Sequence, residues 1–233
     1  MKSTSSSFEQ ISNDLELIVL TEVKNFNSLN LTIRLLYLNV AVPTECIYTV
    51  GTTFRNCTGT SFKEFQYFTG VTSLTSNAMN GAKFEYLILP SSLVTINSYA
   101  LQSLTNLREI IVPASVTTLG DDIFRQCSKL KSAVFLGNIT TFSRTCYQAT
   151  SLTFVDINSV GTITYNAFQQ CTALVTVIIR STTPPTLNPS YTPHIAVQAD
   201  VIYVPDSAVD TYKAANLWSN YASKIKPLSE YSE

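Results

Sequence analysis

The seven residues Leu107–Pro113 read "LREIIVP". They return as "LKSAVFL" at Leu130–Leu136 and "LVTVIIR" at Leu174–Arg180. The same phrase is found as "FEYLILP" from Phe84 and "LTFVDIN" from Leu152, in a weaker form as "FKEFQYF" from Phe62, and last as "VIYVP" at Val201–Pro205. Its first, fourth and sixth positions are apolar. An alternation of period two after a turn is the signature of a short strand with one buried face. Pro90, Pro113 and Pro205 close three of the copies, at positions where no ladder hydrogen bond is needed from the next residue.

A second phrase precedes each strand phrase: "VTSLTSNAM" from Val71, "LVTINSYAL" from Leu93, "VTTLGDDIF" from Val116, "ITTFSRTCY" from Ile139 and "VGTITYNAF" from Val160. The starts are 22, 23, 23 and 21 residues apart. Positions one and four are apolar, the eighth is small or apolar, and the ninth is mostly large and apolar. The "YNAFQQC" half predicts a short helical turn or tight loop. A unit of about 22 residues cannot bury its apolar face alone, but stacked copies can. The expected fold is therefore an α/β solenoid with one sheet of repeat strands at ~4.8 Å spacing.

The halves "VTxL/IxxxAF" and "CxxLxxIxIP" resemble the BspA-type leucine-rich repeats of many bacterial surface proteins, especially of the Bacteroidetes, and of some protozoa. Cys127 and Cys171 stand in the Cys slot, with Leu104, Ala149 and Gly81 as variants. The resemblance covers roughly Phe54 to Leu228. It implies a leucine-rich repeat fold and a role in binding and adhesion. The run "VIYVPDSAVDTYKAANLWSNYASKIKPL" looks like the closing segment of such arrays.

A stacked array needs covered ends. At the C-terminus, Asp206 is placed to N-cap a helix over about Ser207–Asn216, with Val209, Tyr212 and Trp218 covering the last repeat. At the N-terminus, "DLELIVL" and "LNLTIRLLYLNV" read as two strands, with Leu29, Leu31, Ile33, Leu35 and Tyr37 alternating. The expected organisation is a flexible or partner-bound tail at 1–12 and a β-rich cap or attachment segment at 13–53. The repeat array follows at 54–180, then a Pro-rich loop at 181–200, and the last strand with a helical cap at 201–233.

Charged residues make up 13% of the 233-residue chain, and the formal net charge is −1. That charged share is about half the usual one. Ser and Thr supply about a quarter of the residues, so hydroxyls and amides carry solubility. Without a basic excess, nucleic-acid binding lacks electrostatic support. No apolar run reaches the ~18 residues of a membrane helix, and "MKSTSSSFEQ" does not read as a secretory signal.

Little points to catalysis. His194, the single histidine, lies in the Pro-rich loop without an identifiable partner for a nucleophile. No CxxC pair suggests zinc. Cys57, Cys127 and Cys171 fall in one repeat slot, and Cys146 aligns with Ala78, Ala100, Ile123 and Ala167. All four are expected to be reduced core residues; Cys46 is left open. The reading is of a protein without enzymatic activity, cofactor or metal.

The alternation also assigns the outer face of the sheet. The residue between positions four and six points outward, giving Gln66, Ile88, Ile111, Val134, Asp156, Ile178 and Tyr203. Its neighbouring outward column holds Glu64, Tyr86, Glu109, Ser132, Phe154, Thr176 and Val201. Tyr86, Ile88, Ile111, Val134, Phe154, Ile178 and Tyr203 form an apolar stripe, expected to be the partner-binding surface. The expected partners are proteins: a second copy in a homodimer, or other surface or virion proteins, with a glycan as a further possibility. The expected setting is a virion surface, as a head or tail fibre or decoration component, or else the cell surface, as an adhesin.

Overall fold

In the computed structural model, the structure describes residues 49–164, 166–188 and 199–232. The expected N-terminal strands and tail up to residue 48, Cys46, His194 and most of the Pro-rich loop lie outside the described residues.

Each strand phrase becomes a strand whose apolar positions face inward. The strands are β2 (Ser61–Phe62), β4 (Tyr86–Leu87), β6 (Glu109–Val112), β8 (Ser132–Phe142), β9 (Phe154–Ile163), β10 (Thr176–Ile179) and β12 (Val201–Val204). Position one is buried in the five strong copies, at Phe84, Leu107, Leu130, Leu152 and Leu174. So are the inward pairs Leu87 and Leu89, Ile110 and Val112, Ala133 and Phe135, Val155 and Ile157, and Val177 and Ile179. Pairing is parallel and in the register set by the phrase: Ile111 lies opposite Val134, then Asp156, Ile178 and Tyr203. The weak first copy departs from this. Its strand is Ser61–Phe62, paired with Tyr86–Leu87, and Lys63–Tyr67 winds into a 3-10 helix. Gln66 and Glu64 are therefore not strand residues of the outer columns.

The other phrase builds a second set of parallel strands: β1 (Thr49–Val50), β3 (Ser73–Leu74), β5 (Thr95–Ile96) and β7 (Thr118–Leu119), in the order β1-β3-β5-β7. Its line continues through the distal halves of β8 and β9 to β11 (Thr186–Leu187), which pairs with Thr162–Ile163. The expectation of one sheet thus needs correction. Each repeat contributes to two strand columns, and proline decides whether they are separate. Pro113 directly follows β6, and Pro90 stands three residues after the end of β4, each before a turn. "FLGNI" and "INSV" lack proline, so β8 and β9 run unbroken through both columns. Phe135 to Ile139 is one residue longer than Ile157 to Val160, and an irregularity between Phe135 and Asn138 absorbs the difference. Gly137 sits where a Cβ would collide with the Val116 carbonyl of the preceding repeat.

The "NAF" half is a pair of tight turns, not a helix. Left-handed residues recur twice per repeat: Asn77, Tyr99, Asp122, Arg144 and Asn166, then Gly81, Ser103, Gln126, Gln148 and Gln170, so Ala82 and not Gly81 stands in the slot of Cys127 and Cys171. This geometry turns backbone N–H groups towards the following repeat. Asn77, Met79 and Gly81 donate to the carbonyls of Ser98, Ala100 and Gln102, and Asp122, Phe124 and Gln126 to those of Ser143, Thr145 and Tyr147. That ladder corrects the place of Cys146. The fourth repeat is one residue short between Phe142 and Arg144. Thr145 therefore fills the Ala78–Ala100–Ile123–Ala167 slot, and Cys146 the slot of Met79, Leu101, Phe124 and Phe168.

Between strands and turns lies one apolar core. Phe124, Phe135, Phe142 and Phe168 run through its centre with ring centroids 4.7 to 6.2 Å apart. Each contributes about 1.5–3 kcal/mol by burial. Cys127, Cys146 and Cys171 are fully buried and reduced, and Cys57 is half-buried. Burial pushes the thiols of Cys127 and Cys171 up to about 12.

After β12 the chain forms a 3-10 turn at Asp206–Ala208, the short helix α1 (Val209–Ala214), a second 3-10 stretch at Trp218–Lys224, and β13 (Ile225–Pro227). The helix is shorter than the sequence predicts, and no side chain caps it. Asp206 instead accepts a hydrogen bond at Oδ1 from the Ser229 N–H at 3.0 Å. Tyr212 and Trp218 are buried edge to face at 5.3 Å. They donate to the carbonyls of Ser181 (2.9 Å) and Pro185 (2.7 Å). Two hydrogen-bonding aromatic side chains thus seat this segment on the chain that follows the last repeat. β13 pairs with β12 and becomes the sheet's edge.

Candidate docking surface

The outward columns place the seven stripe residues on one face, but their surroundings differ along it. Tyr86, Ile88 and Ile111 are exposed, at 48%, 40% and 58%. Val134, Phe154 and Tyr203 are half-buried. Ile178 is 1% exposed, although it stands outside the core. Its cover is the C-terminal tail. The ring of Tyr231 packs 5.3 Å from Tyr203 and 6.2 Å from Phe154. Those residues sit on the strands flanking β10, so the tail crosses Ile178. The expectation of Ile178 as an accessible contact is corrected on that ground.

Asp156 occupies a place in the same column that is apolar in the neighbouring repeats. It is 8% exposed, and an unpaired carboxylate there would carry a heavy desolvation cost. Arg180, from the next repeat, neutralises it with a fork of bonds: Nε to Oδ1 at 2.9 Å and Nη2 to Oδ2 at 2.7 Å. Hydrogen bonding to Asp156 holds the guanidinium above its usual range. An Asp in an apolar column, with an Arg two positions further along the next copy, is a signal the repeat alignment contains.

At the other end the strand ladder is interrupted. β2 and β4 form a two-stranded sheet, and β6 begins a separate seven-stranded one. The same two repeats remain joined through β5 and β7 and through the turn ladder, so they splay only on the outer side. A groove of about 460 Å³ opens there, lined by Lys63, Glu85, Tyr86, Ile88, Arg108 and Ile111, with Leu87 and Ile110 also in its wall. Lys63 Nζ lies 4.7 Å over the Tyr86 ring, and Arg108 pairs with Glu85 at 3.5 Å.

On the turn face, Asp122 is fully buried beside Arg144 (2.6 Å) and Arg125 (3.8 Å). Burial pushes its carboxyl above the ordinary range, and the two arginines pull it back. Asp122 and Arg144 occupy the same turn slot in successive repeats, and the other copies of that slot hold Asn or Tyr. Among the described residues no group of three His, Cys, Asp or Glu side chains could hold a metal ion, and no helix is long and apolar enough to cross a membrane.

Six copies of the BspA type leucine rich repeat region match residues 39–182. The chain belongs to the BspA-type leucine-rich repeat family. No curated protein matches it. BspA-type repeats are typically surface-associated, non-enzymatic binding modules, and a protein-interaction role follows for this chain at that level. The outer face is then the surface to consider first. Sequence reasoning found its columns but missed the covering tail, the Arg180 partner and the charged residues around the groove.

Proposed function

We propose that this BspA-type protein is a non-enzymatic recognition protein displayed on a surface, either as a virion head or tail component or as a cell-surface adhesin. We place its docking face on the exposed part of the outer sheet. One observation carries the reading. Tyr86, Ile88 and Ile111 stand exposed on a face whose later members are covered by the chain itself. A contiguous apolar patch that the fold leaves open is the ordinary mark of a partner site, and aromatic and branched side chains at its centre suit tight contacts.

Immunogold microscopy with antibody to the chain, on host cells and on any phage they release, tests the setting. Label on particles makes it a virion component; label on intact envelopes makes it an adhesin. Label confined to the cell interior overturns display. Ile111→Glu, expressed in place of the native chain, is expected to reduce binding to whichever partner is then identified by at least tenfold.

A further inference from the structure

We propose that the open groove between β4 and β6 is the contact point of a closed homodimer, in which Ile111 of each copy enters the groove of the other. This rests on the outer face being the docking face, and it names the partner as a second copy of the chain.

The shape of the groove limits its occupant. The two repeats stay joined through β5 and β7 and at the turns. The opening is therefore a wedge and cannot admit a whole strand, which needs about 4.8 Å of spacing to each of its two neighbours. One apolar side chain fits such a wedge. In its walls, Leu87 and Ile110 retain 5% and 2% exposure, whereas Ala133, Phe135, Val155 and Ile157 retain none. Ile111 stands at the edge of the wedge and is the most exposed apolar residue of the outer columns. A knob adjoining its own hole is self-complementary under a two-fold axis, because residue i meets j and j meets i.

The charges point the same way. Two cations, Lys63 and Arg108, and two anions, Glu85 and Glu109, surround the apolar centre. Surroundings of one sign would repel a second copy; alternating signs offer each cation an opposite charge across a two-fold axis. Glu109 makes no ion pair among the described residues and is exposed, beside Arg108, which is half engaged with Glu85. A facing copy brings Arg108 towards the partner's Glu109. The covered half of the face explains why the contact is local: Tyr231 already fills over Ile178 the role that the second copy fills over Ile111.

Native mass by light scattering, over a hundredfold range of full-chain concentration, tests the proposal. The expected result is a concentration-dependent dimer. Ile111→Glu is expected to raise its dissociation constant at least tenfold with an unchanged melting temperature. Arg108→Glu should weaken it, and adding Glu109→Arg should restore it, because reversing both signs preserves the cross-axis pairing. A monomer at every concentration overturns the dimer. A dimer indifferent to Ile111→Glu overturns this contact. Failure of the double reversal to restore association, with both variants folded, overturns the two-fold arrangement. A wild-type monomer whose partner binding is still lost on Ile111→Glu would leave the docking face standing and the second copy excluded.

Discussion

The two ends of the outer sheet solve the same problem differently. At the C-terminal end, an apolar column is closed from within: β13 extends the sheet, Tyr231 lies across Ile178, and Arg180 neutralises Asp156. At the N-terminal end the same column stays open. The ladder parts between β4 and β6, Ile111 is 58% exposed, and the ion pair there, Arg108 with Glu85, is in solvent. One repeated sequence thus yields a sealed surface and an available one. The difference lies in what non-repeat residues follow the array.

Trp218→Ala attacks the sealed end where it is most deeply packed. The residue is 1% exposed and hydrogen-bonded, so a loss of about 3–5 kcal/mol is expected in chemical denaturation. Ile111→Ala at the open end should cost less than about 0.5 kcal/mol in the same assay. Equal losses would erase the contrast.

The two ion pairs give the next test. Arg180→Ala strands Asp156, which is nearly buried, and a loss of about 1–2 kcal/mol is expected. Arg108→Ala breaks an exposed pair and should cost less than about 0.5 kcal/mol. Matching effects would mean that the two environments do not differ electrostatically.

Tyr231→Ala opens the sealed face directly. Stability should fall by about 1 kcal/mol through lost apolar contact. Binding of a hydrophobic dye such as anilinonaphthalene sulfonate should rise severalfold, because Ile178, Phe154 and Tyr203 become accessible. Unchanged dye binding would show that the tail is not their cover.

Asp122→Asn, on the turn face and away from both ends, removes the anion between Arg144 and Arg125 and should cost about 1 kcal/mol at neutral pH. Asn occupies the same left-handed position at Asn77 and Asn166. Because burial raises the native carboxyl, the stability linked to Asp122 is full below its unfolded pKa and lost as pH rises through its folded value. Melting curves across that interval should therefore shift in favour of the Asn variant with rising pH. Asp206 has the opposite sign. Hydrogen bonds from Ser229 lower it, so its hold on the tail is present above the ordinary carboxylate range and weakens as pH falls.

The repeats were legible because their causes are local. Alternation in "LREIIVP" fixes which side chains face inward, and the register of Ile111, Val134, Asp156, Ile178 and Tyr203 follows from stacking alone. The second strand column is also written locally, because Pro90 and Pro113 separate the two apolar phrases of a repeat. The slot of Cys146 is not legible in the sequence, because a one-residue deletion inside a turn leaves no mark in composition; the inter-repeat hydrogen bonds locate it. The tail over Ile178 and the parting at β4–β6 depend on contacts between residues far apart in sequence, which no periodicity encodes.

The turn ladder has a consequence of its own. Its hydrogen bonds point one way, each N–H towards the next repeat: Asn77 to Ser98, Tyr99 to Asp121, Asp122 to Ser143, Cys146 to Ala167. Aligned peptide dipoles add, as they do along a helix, but here they add across the stack instead of along the chain. The turn face therefore has electrical polarity, with carbonyl oxygens towards its first repeat and amide hydrogens towards its last. Two such arrays could extend one another through that face in a single sense only, tail to head. A reversed copy would bring like partial charges together at the joint.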